Sequence, residues 1–192
     1  MTPGPVGTGK SMNAYRLLSQ SLPDDFTSLS ITLSAKTTPN QILDTIFSQI
    51  DKRKKSVYGP ANGRKCVVFV DDLNMPKKEE YGAQPSIEIL RQYLDHKAWY
   101  VFKLGKEYTK IEDIIFLTAM GPPGGGRNEI TARMIRHFNI ISYTDMEDST
   151  TNKIFSTIAN FYLSRFTAEF REKIPAMVDA TLQIYNTVKD KL

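Results

Sequence analysis

The stretch that decides the fold is Gly4-Pro5-Val6-Gly7-Thr8-Gly9-Lys10-Ser11, which satisfies the phosphate-loop pattern GxxxxGK[ST] at every fixed position. Glycines let backbone N–H groups turn inward onto phosphate oxygens. A helix that starts at the loop aims its positive end at the same anion. Lys10 then places a point charge on the β and γ phosphates, and Ser11 gives a hydroxyl to Mg²⁺. A chance glycine turn would show the same letters, so a second element is needed. It is Val67-Val68-Phe69-Val70-Asp71-Asp72, with Asp71 lying 61 positions beyond Lys10. A carboxylate at the C-terminal edge of a buried strand sits where α/β sheets bind ligands. Asp71 is placed to hold Mg²⁺ through water, and Asp72 to polarise an attacking water. A capped loop start is the bland alternative, but two carboxylates after four apolar residues and a phosphate loop weigh against it and predict a nucleotide site.

Around these two stretches, short strands alternate with helices, which predicts an α/β unit with a parallel sheet. Lys10 to Leu22 reads as a helix with Ala14, Leu17 and Leu18 on one face. Leu29, Ile31 and Leu33 alternate with Ser and Thr, as a half-buried strand would. Thr38-Pro39-Asn40-Gln41 is a helix start, with Thr as cap, Pro first and Gln three after the cap. The helix that follows buries Ile42, Ile46, Phe47 and Ile50. Asp51 to Lys65 is polar, holds Lys52-Arg53-Lys54-Lys55 and Gly59-Pro60, and reads as a solvated surface loop. Cys66 to Val70 is a fully buried central strand. Pro85 opens a helix carrying Ile87, Leu90, Tyr93 and Leu94, and Trp99 to Ile111 reads as a hairpin about Gly105-Lys106, with Trp99 and Tyr100 packed on the domain. Ile114 to Ala119 is a second buried strand, closed by the loop Gly121 to Asn128, and Phe138 to Tyr143 is a third.

From Thr144 the composition turns polar and acidic, and only helices follow. One runs from about Ser149 to Phe166 with Ile154, Phe155, Ile158 and Phe161; another follows Pro175 with Val178, Leu182, Tyr185 and Val188. The expected organisation is a nucleotide-binding α/β domain over 1–145 and a helical part over 146–192.

Composition narrows the function classes. The 192 residues are 41% hydrophobic and 24% charged, so a core is within reach and disorder is not expected. A net charge of +4 is too mild to argue for nucleic acid. No apolar run approaches a membrane span, and the first ten residues do not form a signal peptide. The single cysteine, Cys66, excludes an internal disulfide and a cysteine-based zinc site, suits a reducing intracellular compartment, and reads as inert core. His96 and His137 show no metal-ligand spacing.

Longer runs carry a resemblance. Phe69-Val70-Asp71-Asp72-Leu73-Asn74-Met75-Pro76, Tyr81-Gly82-Ala83-Gln84-Pro85 and Leu90-Arg91-Gln92-Tyr93-Leu94-Asp95-His96 resemble the dynein heavy chains. So do Thr118-Ala119-Met120-Gly121-Pro122-Pro123-Gly124-Gly125-Gly126-Arg127-Asn128 and Arg136-His137-Phe138-Asn139. The resemblance covers nearly the whole chain. It is to the axonemal type, and among the six AAA+ modules of that motor's ring it is strongest to the third. It implies a P-loop NTPase of the AAA+ class, with a doubly wound parallel sheet and part of a small helical lid. It implies ATP or ADP with Mg²⁺ as ligands, and ATPase activity in the context of the full motor. It also implies a gating role in ciliary and flagellar movement on the axonemal cytoskeleton. The partners it implies are the neighbouring AAA+ modules. Intermediate chains, light chains and microtubules enter only through the full motor; nucleic acid and membrane are not expected.

The sequence departs from that pattern in three places. The family has a central strand before the phosphate loop, and Met1-Thr2-Pro3 is too short to supply it, so the expectation is a partial sequence whose sheet lacks its first strand. The second carboxylate is Asp72 where many hydrolysing modules have Glu, which favours slow hydrolysis over lost binding. Gly121 stands where the family's first module has a sensor Asn, and Asn128 lies seven positions further on. Arg133 and Arg136, three apart, share a helical face. The resemblance implies that such arginines reach the next module's γ-phosphate, while the bland alternative is a solvated basic face with Arg127 and His137. Two functional alternatives stand beside the ATPase: a nucleotide-binding latch without turnover, and a different AAA+ machine such as an assembly chaperone, against which Leu73-Asn74-Met75-Pro76 argues.

Overall fold

The computed structural model describes residues 1–101 and 107–191. They form two compact units, Met1–Thr144 and Asp145–Leu192.

The first unit is built on a parallel sheet of four strands: β1 (Thr2–Pro3), β2 (Phe26–Thr32), β5 (Lys65–Asp71) and β8 (Ile114–Met120), in the order β1-β8-β5-β2. Strand β5 lies in the middle, paired in parallel with β2 from Phe26↔Lys65 to Thr32↔Asp71 and with β8 from Cys66↔Ile114 to Val70↔Thr118. Successive side chains of a strand point to opposite faces. Val67 and Phe69 therefore join Ala14 and Leu18 of α1 (Lys10–Gln20) on one face. Cys66, Val68 and Val70 join the larger core on the other face, with Ile42 and Ile46 of α2 (Pro39–Phe47) and Ile87, Leu90 and Tyr93 of α3 (Pro85–His96). Helices on both faces explain why the strand is apolar at every position from Cys66 to Val70. Burial pushes the Cys66 thiol up, against a hydrogen bond with Thr27, so it stays a neutral core group. Helix α2 starts as its sequence predicts: Gln41 N donates to Thr38 Oγ1 at 3.3 Å, and Thr38 N donates to Gln41 Oε1 at 2.9 Å.

In the first unit four readings change. The polar run after residue 50 is not a loop. It forms β3 (Ile50–Lys54) and β4 (Val57–Pro60), an antiparallel pair with an irregular register between Lys52 and Lys54. These join β6 (Ala98–Val101) and β7 (Glu107–Ile111) in a second sheet, ordered β3-β4-β7-β6. Strand β3 hides because it is an edge strand with only Ile50 buried, and charge is how edges resist further pairing. Arg53 is not solvated either. It pairs with Asp113 and donates to the carbonyls of Pro60 at 3.0 Å and Arg64 at 3.1 Å. A Cβ on Gly59 would lie 2.7 Å from its guanidinium carbon, so a side chain there would displace the guanidinium from this seat.

The predicted hairpin is present as the antiparallel pair β6–β7, while its turn at Gly105-Lys106 lies outside the described residues. Trp99 is fully buried and donates its indole N–H to Ile89 O at 2.6 Å, whereas Tyr100 is exposed, which is the second change.

The third change concerns the start of the sheet. Met1-Thr2-Pro3 does supply a stub: Thr2 pairs with Ala119 and Pro3 with Met120. The fourth is its neighbour, since 138–143 is not a regular strand. It runs beside the stub through Met1 N to Asn139 O at 2.8 Å, Ile141 N to Met1 O at 3.0 Å and Tyr143 N to Pro3 O at 2.8 Å. A partner of two paired residues, one of them a proline without an N–H, offers too few groups for a ladder. Ile115 of β8 is half exposed.

The second unit holds α5 (Asp148–Leu163), α6 (Ala168–Glu172) and α7 (Ile174–Lys191). Its core is one seam, Ile174, Val178 and Leu182 against Phe155, Ala159 and Leu163. Ile154, Ile158, Phe161, Tyr185 and Val188, expected inside by periodicity, are exposed. Two long helices share a single stripe, and a second apolar stripe on each has nothing within the unit to cover it.

Candidate nucleotide site

The phosphate loop leaves β1 and enters α1. Gly4 N donates to Met120 O at 3.2 Å, tying the loop to the end of β8, and a Cβ on Gly4 would lie 2.6 Å from Tyr143 O. Gly7 and Gly9 have φ of 81° and 80°, the left-handed region that glycine adopts without strain. Thr8 is buried and donates its hydroxyl to Pro5 O at 2.9 Å. Gly4, Pro5 and Thr8 thus build the loop, while Val6, Gly7, Gly9, Lys10 and Ser11 line the cleft beside it.

Helix α1 has Gly9 as its N-cap, with no side-chain cap bond and no acidic residue in its first turn. Its first N–H groups and positive end therefore carry no anionic partner from its own first turn. The Lys10 ammonium donates to Pro5 O and lies 3.3 Å from Thr8 Oγ1. Burial lowers its pKa, Asp71 and Asp72 oppose that, and Arg127 adds to it.

Strand β5 delivers the carboxylates to the same cleft, about 290 Å³ in volume. Asp71 is its last residue, and Asp72 follows with φ of 51°, unusual for a side-chain-bearing residue. Asp72 N donates to Asp71 Oδ1 at 3.0 Å, and Asp72 O accepts from Met75 N at 2.9 Å, which together hold the turn. A larger cleft of about 640 Å³ opens by Lys36, Lys77, Lys78, Glu79 and Glu80, where the charges largely offset one another and no phosphate cradle lies.

The structure brings Lys10, Ser11, Asp71 and Asp72 together and adds a residue that the motif reading left on a basic surface. Arg127 reaches in from the glycine-proline loop, with Nη2 3.5 Å from Asp72 Oδ1. Three glycines before it and a glycine at the end of β8 were the signal. Asn128 is pinned elsewhere: its backbone N donates to Asn74 O at 2.9 Å and its side chain to Pro76 O at 2.9 Å, so it does not replace a sensor Asn. Asn74 is also structural and fully buried, donating to Gly121 O at 2.8 Å.

Arg133 and Arg136 are not in this cleft. Arg133 lies in α4 (Ala132–Ile135) and Arg136 caps it. They face α3, at 3.3 Å from Glu88 Oε1 and 2.6 Å from Asp95 Oδ1. They are neither free nor a plain solvated face.

The residues present fit a magnesium nucleotide. The loop glycines take the required backbone shape, a partly buried ammonium and a helix N-terminus favour an anion, and hydroxyl and carboxylate oxygens suit a hard cation. Among the described residues no cluster of His, Cys, Asp and Glu forms a separate metal site, and no helix is long and apolar enough to cross a membrane.

Comparison with known proteins agrees with the phosphate loop. The family described as P-loop containing dynein motor region matches residues 1–146. Human dynein axonemal heavy chain 1 is 44% identical over 201 aligned positions, covering 98% of this chain and 5% of that protein. Human dynein axonemal heavy chain 12 is 45% identical, covering 98% of this chain and 6% of that protein. Mouse dynein axonemal heavy chain 3 is 48% identical, covering 95% and 4%. The chain therefore spans about a twentieth of the length of these relatives.

Proposed function

We propose, since the chain belongs to the P-loop dynein motor region family, that it is the ATP-binding third AAA+ module of an axonemal dynein heavy chain. The observation that carries this reading is the one cleft in which Lys10 and Ser11 from α1 face Asp71 and Asp72 from β5. The loop N–H groups and Lys10 hold the phosphates of ATP or ADP. Ser11 and Asp71 hold Mg²⁺, which supplies charge neutralisation on the phosphate oxygens. Asp72 orients the attacking water. Turnover is slow, because Asp is one methylene shorter than Glu and about 1 Å of misplacement costs on the order of a hundredfold in rate.

In the full motor the module's nucleotide state gates microtubule-based movement of the axoneme. Arg133 and Arg136 would serve the neighbouring module's nucleotide only after leaving Glu88 and Asp95. Calorimetry of Mg-ATP binding tests the reading, with a melt in parallel. Binding should raise the melt, by about 2.7 kcal/mol at a hundredfold excess over Kd. Lys10→Ala should abolish binding, and a melt of the nucleotide-free variant checks that the loop, which loses the Lys10 bond to Pro5 O, is still folded. Unchanged affinity in that variant would sink the reading.

A second reading is a latch without hydrolysis. It is favoured by the Asp72–Arg127 pair, in which a guanidinium at 3.5 Å stands beside the carboxylate that would orient the water. Asp72→Asn in the full motor separates the two: a fall in ring ATPase supports hydrolysis, and unchanged ATPase and motility support the latch.

A further inference from the structure

The loop between β8 and α4 is shaped to return one side chain to the strand end. Gly124, Gly125 and Gly126 have φ of 118°, 55° and 85°, and the turn is closed by Gly124 N to Arg127 O and Arg127 N to Gly124 O, both 3.0 Å. Arg127 then lies across Gly121. A Cβ there would fall 2.6 Å from Arg127 Nε and 2.7 Å from its Cδ, closer than real Cβ atoms approach. Glycine at 121 is thus the condition for the arginine's position.

The guanidinium is poorly satisfied where it sits. Its Nε is buried and has no hydrogen-bond partner. Its contact with Asp72 is 3.5 Å, beyond the roughly 2.7–2.9 Å of a charge-assisted hydrogen bond. It is close enough to Lys10 to help lower that ammonium's pKa. Two cations with spare donors on one cleft are complementary to an anion more highly charged than a single carboxylate.

We propose that Arg127 reads the terminal phosphate in cis, taking the γ-phosphate of ATP and so making the site prefer triphosphate to diphosphate. Gly121 is its positioning partner. The arginine fills the place left without a sensor side chain, and nucleotide draws it from Asp72. The inference rests on the nucleotide-binding reading above.

The test is a set of affinities on the full 192-residue chain for Mg²⁺ with the β,γ-imido analogue of ATP and for Mg-ADP, by displacement of a fluorescent nucleotide. Arg127→Ala should weaken the triphosphate by about 10- to 100-fold, the worth of a hydrogen bond to a charged group, and leave ADP within about twofold. Gly121→Ala should do the same with Arg127 still present, and Arg127→Lys should recover part of the preference. A melt of each nucleotide-free variant identifies any that fails to fold, and the remaining two then carry the test. A triphosphate-to-diphosphate ratio unchanged by all folded variants overturns this inference alone. A wild-type chain that binds neither nucleotide overturns the nucleotide reading and this inference with it.

Discussion

Asn74→Asp is the sharpest probe of how the site is held. Asn74 follows the carboxylates of β5, is fully buried, and donates Nδ2 to Gly121 O at 2.8 Å. Its own backbone O accepts from Asn128 N, so it ties the loop after β5 to the loop after β8. Its Oδ1 has no partner. Asn74→Ala therefore loses one good bond and also one unsatisfied acceptor, and should cost about 1 kcal/mol. An ionised carboxylate there has no donor and is set, buried, against a carbonyl, and should cost about 3 kcal/mol at pH 7. With a urea slope of about 2 kcal/mol/M, the midpoints should fall by about 0.5 M and 1.5 M. Trp99, the single tryptophan, is buried in the first unit, so its fluorescence follows that unit. The sign with pH is opposite to that of a salt-bridged acid. Once protonated, the introduced carboxyl regains a donor for Gly121 O. The folded state therefore raises its pKa, and the deficit should shrink as pH falls towards about 4. Asn74→Asp as stable as wild type at pH 7, or less stable than Asn74→Ala at about pH 4, would refute the reasoning.

Thr38→Ala removes the Gln41 N to Thr38 Oγ1 bond of the α2 capping box while keeping the backbone N–H that donates to Gln41 Oε1, and should lower stability by about 1 kcal/mol, read as a urea midpoint shift of about 0.5 M, and Thr38→Ser should restore most of it. Asp95→Asn should flatten the acid side of the stability curve. Burial pushes the Asp95 carboxyl up, but Arg136, His137 and Arg91 outweigh it and hold it below the ordinary value of 3.8. The wild type should have that contribution in full above about pH 4 and lose it as pH falls through the depressed value, so urea midpoints of the two proteins should converge in acid.

Much was legible because it is local. A phosphate loop, a capping box and a five-residue apolar run each depend on neighbours within one turn or one strand, and Lys10, Ser11, Asp71 and Asp72 belong to such runs. Their meeting also followed, since parallel strands bring C-terminal ends to one edge of a sheet. The edge strand β3 was hidden because its charges report exposure, and exposure is shared by edges and loops. Periodicity found the helices of the second unit but chose too many inward residues, because it cannot say how many stripes have a partner.

By itself the sequence determined the phosphate cradle, the strand that carries its carboxylates and the class of ligand they suit, because the chemistry of each is written in contiguous residues. Only the tertiary structure decided that three residues before the loop still reach the sheet, that Arg53 is a strut rather than a solvated charge, and that Arg127 belongs to the site while Arg133 and Arg136 face α3. These arginines look alike in sequence. What separates them is which carboxylate or carbonyl the chain brings within reach, and whether a glycine opposite leaves room for the guanidinium.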